Sequence, residues 1–189
     1  MSAVNPLKPL SLVLNALRVQ FVVIGSTASS ARGLARSTQG IDLIVRIGVL
    51  QVERLASALG TEWYAEPDQM RQAIRNGRSF NVIHIPTGWK IDLFPAQTDF
   101  HDCEMQRATL APVLIDGDSV DCSVSTAEDV VLAKLRWYKD DGQVSDCQWR
   151  DIGGVIAANP RIDLDYLHAW AARLQVADLL ETALRESAQ

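Results

Sequence analysis

The stretch VIGSTASSARGLARSTQGIDLIV, residues 23–45, sets two apolar runs around a small-residue segment. FVVIG, residues 21–25, is a short apolar run ended by glycine, the pattern of a buried strand. STASSARGL then reads as a helix with Ser26 as its N-cap. GIDLIVRI, residues 40–47, is the next strand, and it carries one acid, Asp42, amid apolar residues. Gly25-Ser26 thus lies where a strand ends and a helix begins. Backbone N–H groups at a helix start attract phosphate, and glycine lets a ligand approach closely. A plain strand-to-helix turn has the same wording, so the turn gains meaning only from the strands that come after it.

Those strands carry a pair of acids. In a strand, Ile41, Leu43, Val45 and Ile47 share one face, while Asp42, Ile44 and Arg46 share the other. Ile-Asp-Leu returns in WKIDLF, residues 89–94, where Lys90, Asp92 and Phe94 lie on one face and Ile91 and Leu93 on the opposite one. A buried carboxylate without a cation costs several kcal/mol, so each acid needs a metal, a lysine or an arginine. On the residues alone, a structural salt bridge and a metal site both satisfy that need. The tripeptide itself is not diagnostic. Its third copy, Ile162-Asp163-Leu164, comes after Pro160 and opens a helix with Asp163 as the cap.

The remaining chain arranges itself around these strands. Leu10, Val13, Leu14 and Leu17 predict a short helix over 9–18, and Val52, Leu55, Ala56 and Leu59 another, closed by Gly60. SFNVIHI and WKIDLF form a hairpin around Pro86-Thr87-Gly88, and PVLID and SVDCSV a second around Asp116-Gly117. Asp116, Asp118 and Asp121 belong to that turn, since the rest of a calcium loop is missing. Residues 61–78 and 97–111 carry no decisive period. From Ser125 the pattern is helical, opened by a capping box, Ser125-Thr126-Ala127-Glu128. Helices are expected near 126–138, 147–158, 164–174 and 176–186. The fold class is therefore α/β over residues 1–124, followed by a helical region over 125–189.

Apolar residues make up 48% and charged residues 22% of the 189, with a net charge of −5. That balance argues against non-specific coating of nucleic acid. Cys103, Cys122 and Cys147 are odd in number and form no Cys-x-x-Cys pair, which fits a reduced setting. His101-Asp102-Cys103 is a run of adjacent residues, which do not converge on one ion. LSLVLNALRVQFVVIG is interrupted by Arg18 and Gln20 and has no Ala-x-Ala site, and no apolar run reaches the roughly 20 residues of a membrane span. A cytoplasmic protein without membrane contact is the expectation.

The order of these motifs, VIGSTASSARGLARSTQGIDLIV with a later Asp92 strand, resembles the signature of the nucleotidyltransferase superfamily with the DNA polymerase beta-like fold. Its Arg-Ser-Thr-x-x-Ile-Asp-Leu wording is closest to the bacterial AbiEii-type toxin branch of abortive-infection and toxin–antitoxin systems. Lys134 in VVLAKLRWY and Arg150-Asp151 in QWRDIGGVI resemble motifs of that branch's helical part, so the likeness runs over roughly residues 20–175. It implies a minimal α/β domain with a mixed sheet flanked by helices, then a helical bundle. It also implies that Gly25 and Ser26 hold nucleotide phosphates, and that Asp42 and Asp92 bind Mg²⁺ or Mn²⁺ brought partly by a nucleoside triphosphate. Lys134 is set among Val130, Val131 and Trp137 at helical spacing. It is either a lysine reaching out to water or an amine aimed at a phosphate or an acid, with Asp151 as partner or support. Arg36 is a further phosphate candidate. The implied activity is transfer of an NMP to an RNA end or a protein hydroxyl, and a cognate antitoxin is an implied partner.

One position departs from the pattern. Family members carry Asp two residues before Asp42, where this chain has Gly40. Glycine offers no ligand, so at least one metal site is weakened, while Asp42, Asp92 and bound phosphates retain the means to hold one Mg²⁺. The alternative function is accordingly a catalytically degenerate member that binds a nucleotide or a partner in a toxin–antitoxin type system.

Overall fold

The structure is a computed structural model that describes residues 4–33 and 40–187. Seven strands form one mixed sheet in the order β3-β4-β5-β2-β1-β7-β6. They are β1 (Phe21–Ile24), β2 (Gly40–Val45), β3 (Trp63–Tyr64), β4 (Phe80–His84), β5 (Trp89–Pro95), β6 (Thr109–Ile115) and β7 (Asp118–Val124). The helices are α1 (Leu7–Ala16), α2 (Gly25–Arg32), α3 (Val52–Leu59), α4 (Pro67–Arg75), α5 (Asp99–Arg107), α6 (Ala127–Asp140), α7 (Asp146–Ala158), α8 (Leu164–Arg173) and α9 (Ala177–Ser187).

Strand alternation sorts the residues as the sequence predicts. Ile41, Leu43 and Val45 of β2 are fully buried, as are Ile91 and Leu93 of β5. β2 runs antiparallel to β1 and parallel to β5, with Asp42 opposite Asp92 and Gly40 opposite Lys90. Both expected hairpins form, β4–β5 and β6–β7. The second is closed by Asp116 and Gly117, both at positive φ, while Asp118 is held by the Asn5 backbone N–H and the Lys8 ammonium, which joins the hairpin to α1 and the residues before it. The core is shared. Val131, Leu132 and Leu135 of α6 and Ile152 of α7 belong to the same buried cluster as Leu7, Leu10 and Leu14 of α1 and Val23 of β1.

Several local expectations shift. Ser26 is not an N-cap, because α2 starts directly at Gly25, whose φ of 63° turns the chain out of β1 without a side-chain cap. The capping box moves by one residue. The Thr126 hydroxyl, not that of Ser125, accepts from the Asp129 backbone N–H and donates to the Asp129 carboxylate. Ser125 instead turns inward and donates to Glu104. The strand expected through Ile47 stops at Val45, and α1 spans Leu7–Ala16, ending where Arg18 takes a positive φ. The two stretches without a clear period contain α4 and α5. α4 buries only Met70 fully, and α5 only Phe100 and the acid Glu104. Such faces leave almost no hydrophobic period to read.

Candidate functional site

β1, β2 and β5 lie side by side, so the residues after β1 and the acids of β2 and β5 meet at one end of the sheet. Register alone sets Asp42 beside Asp92, on strands spaced about 4.8 Å apart. The antiparallel pairing of Ile24 with Asp42 then brings the start of α2 against the same acid. The approach is so close that a Cβ on Gly25 would overlap the Asp42 carboxylate. Gly25 is thus required twice, by its positive φ and by the absence of a side chain. The Thr27 hydroxyl of α2 donates to the Gly40 carbonyl at 3.4 Å, fastening α2 to β2.

The Asp42 carboxyl is pushed up to about 6, first by burial and then by repulsion from Asp92, with Lys134 and Lys90 pulling it back. A cation between the two acids would relieve that repulsion. One is already present at Asp92, whose carboxylate lies 2.9 Å from the Lys90 ammonium. Two carboxylates in register, together with ligand phosphates, suit a single divalent ion. Gly40 offers no third carboxylate, and no group of three His, Cys, Asp or Glu residues gathers among the described residues.

Lys134 on α6 is buried rather than extended to water, with 7% of its surface exposed. Its ammonium lies 2.8 Å from the Asp151 carboxylate of α7. Gly25, Ser26, Asp42 and Lys134 border one cleft of about 350 Å³ between the sheet and the helical part. Asp92 stands beside it, next to Asp42 in the sheet, and Asp151 stands behind Lys134. Arg36 lies outside the described residues.

The cleft also contains groups that sequence reasoning did not single out as functional. Phe94 of β5 and Trp137 of α6 form an aromatic wall, with ring centroids 5.9 Å apart. Both stood at visible spacings, two residues after Asp92 and three after Lys134. Glu104 of α5 faces the cleft and accepts from the Ser125 hydroxyl at 2.6 Å. Its carboxyl is pushed up to about 8, mainly by burial, with the Ser125 hydrogen bond pulling it down and Asp129 pushing it up. Nothing in its local sequence signalled this. His101 lies at the same cleft, and burial and the Arg136 guanidinium hold its imidazole below the usual range. The Gln148 side-chain oxygen, also at the cleft, is buried without a hydrogen-bond partner among the described residues. His101, Asp102 and Cys103 diverge as expected. Asp102 pairs with Arg46, and Cys103 lies 3.4 Å from the Tyr166 hydroxyl. All three cysteines are free. Among the described residues, no helix is long and apolar enough to cross a membrane.

No protein-family model matches the chain, and no curated protein matches it. Solved structures do. The antibiotic-resistance factor ANT(2'')-Ia, whose solution structure revealed substrate-regulated conformation dynamics, aligns over 93% of this chain and 94% of its own, with a TM-score of 0.51 at 14% identity. ANT(2'')-Ia crystallised with adenylyl-2''-tobramycin aligns over 89% and 94%, with a TM-score of 0.49 at 16% identity. An antigenic nucleotidyltransferase-like protein from Paracoccidioides brasiliensis aligns over 95% and 91%, with a TM-score of 0.47 at 16% identity. The chain has the nucleotidyltransferase-like fold, a mixed sheet flanked by helices with a helical C-terminal part.

Proposed function

We propose that this chain is a nucleotidyltransferase-superfamily protein of the AbiEii-type bacterial branch that binds a nucleoside triphosphate together with Mg²⁺ or Mn²⁺. The observation that carries the reading is the contact between the start of α2 and the Asp42 carboxylate at the bare Gly25. A phosphate-attracting helix start and the acid Asp42 there share one cleft with a buried lysine, and Asp92 lies next to Asp42 in the sheet. Gly25 and Ser26 present the backbone to the phosphates, and Arg36 is a further phosphate ligand. Asp42 and Asp92 hold the cation. Lys134, fixed by Asp151, places an ammonium at the cleft. A bound divalent ion would offset charge on departing pyrophosphate.

In the transfer reading, an acceptor hydroxyl at an RNA end or on a protein forms a bond to the α-phosphorus. The α–β phosphoanhydride bond breaks, pyrophosphate leaves with its electron pair, and the hydroxyl proton passes to the acid pair. A second reading is favoured by Gly40. With one ligand position empty of a carboxylate, the chain holds its nucleotide, or a cognate antitoxin, without turnover.

Calorimetric titration of ATP, GTP, CTP and UTP with Mg²⁺, on this chain and on Gly40→Asp, tests the proposal. A Cβ at Gly40 meets the Lys90 carbonyl at 3.9 Å, an ordinary van der Waals contact, so the first atom of the new side chain is accommodated. Binding to both, with stronger metal dependence in the variant, is the expected result. Nucleotidyl transfer appearing only in Gly40→Asp would select the second reading for the natural chain. Absence of binding to either would remove the nucleotide reading.

A further inference from the structure

The strand position that lacks an acid has a cation beside it. Gly40 and Lys90 are register partners on β2 and β5, one step along from the register pair Asp42 and Asp92 on the same face of the sheet. The Lys90 ammonium does not run out to solvent. It folds onto Asp92 at 2.9 Å, although half of its side chain is accessible. Its charge also reaches Asp42, where it acts together with Lys134. A third carboxylate, at position 40, would make this corner strongly negative and call for a second divalent ion. With glycine there and a lysine across from it, the local charge is already offset by the chain itself.

We propose that Lys90 is a built-in counter-ion that neutralises Asp92 in place of a second divalent ion, so that the cleft takes its phosphate-bearing ligand with one divalent ion at most. This rests on the nucleotide-binding reading for the identity of the ligand, but the competition between Lys90 and a metal for Asp92 does not. Lys90 and a divalent ion want the same carboxylate oxygens. A metal ligand set that includes Asp92 must displace the ammonium from Oδ2 or share the carboxylate with it, and either lowers affinity for free metal. Once displaced, the half-exposed ammonium is free to meet a ligand phosphate instead.

The test separates these parts. Mn²⁺ alone is titrated into the full chain, Lys90→Met and Lys90→Gln, with bound ions counted by electron paramagnetic resonance. ATP is then titrated into each with Mn²⁺ and with EDTA. The wild type should bind one Mn²⁺ at most. Both variants should bind Mn²⁺ roughly fivefold tighter, the scale set by releasing a carboxylate from a partly exposed ion pair. ATP binding should survive EDTA better in the wild type than in either variant. Two Mn²⁺ ions per wild-type chain, or equal Mn²⁺ affinity in all three proteins, overturns the proposal, as does an identical EDTA penalty. If ATP binds to none of them, the nucleotide reading fails, and the Mn²⁺ titration still decides the role of Lys90. Using two replacements of different polarity guards against a packing defect in one of them.

Discussion

Two glycines border the site and are held to opposite standards. Gly25 sits at φ 63° with the Asp42 carboxylate where its Cβ would be, so Gly25→Ala should lose about 1–3 kcal/mol in urea unfolding. It should also displace Asp42. Gly40 has ordinary strand geometry, and a Cβ there would make only an ordinary van der Waals contact with the Lys90 carbonyl. Gly40→Ala should stay within about 0.5 kcal/mol of wild type, and the comparison of their denaturation midpoints checks both. Glu104 makes a different prediction. Its folded carboxyl is pushed to about 8 from an ordinary 4.5. Between those values the unfolded chain has released the proton and the folded chain keeps it. Stability is therefore full below about pH 4.5 and falls as pH rises toward 8, by up to about 1.4 kcal/mol per pH unit. Glu104→Gln keeps an acceptor for Ser125 and should flatten that fall, as urea titrations at pH 5 to 8 will show. At this scale the sequence was legible where strand alternation applied. Asp42 and Asp92 could be placed on one face each, and Lys90 and Phe94 with Asp92. Glu104 was not legible, because an acid at a core position of α5 looks like a surface residue until the Ser125 hydroxyl is seen against it.

Among the elements, α5 shows why some were missed and α6 why others were plain. α5 is capped by the Thr98 hydroxyl, which accepts from the His101 backbone N–H, and it buries one aromatic and one acid. Propensity and capping support that helix while its hydrophobic period is nearly absent. α6 has the reverse character, with Val130, Val131, Leu132 and Leu135 all buried, and its existence is evident from spacing alone. Spacing could not supply the direction of Lys134, since a lysine on an apolar face often extends to water. Here Asp151 on α7 draws it inward, so the ion pair joins two helices side by side. A double-mutant cycle with Lys134→Met and Asp151→Asn should therefore give a coupling of at least about 1 kcal/mol. Coupling near zero would mean that the two helices are held by packing alone.

For the molecule as a whole, the change from mixed periods to helical periods at Ser125 was plain in the sequence, and the helices obey it. The strand order was not plain. β7 enters beside β1 through the single register pair Val23 and Val124, a contact between distant parts of the chain that no local pattern encodes. Nor could periodicity show that one core crosses the boundary. Because α6 fills the same cluster as α1 and β1, residues 1–124 expressed alone should show no cooperative thermal transition, whereas the full chain should show one.

Asn5 ties the residues before α1 to the β6–β7 hairpin. Its side-chain amide donates to the Val113 and Asp118 carbonyls, and its backbone N–H donates to the Asp118 carboxylate. A ribosome releases Asn5 long before it releases Val113. At elongation rates of about 5–20 residues per second, the first helix waits several seconds for the hairpin that receives it. During that interval α1 can pack on α3 but not on β7, so the burial of Leu7, Leu10 and Leu14 is incomplete. The packing of α1 on that hairpin is therefore completed late in synthesis, although in the finished protein those three leucines are fully buried.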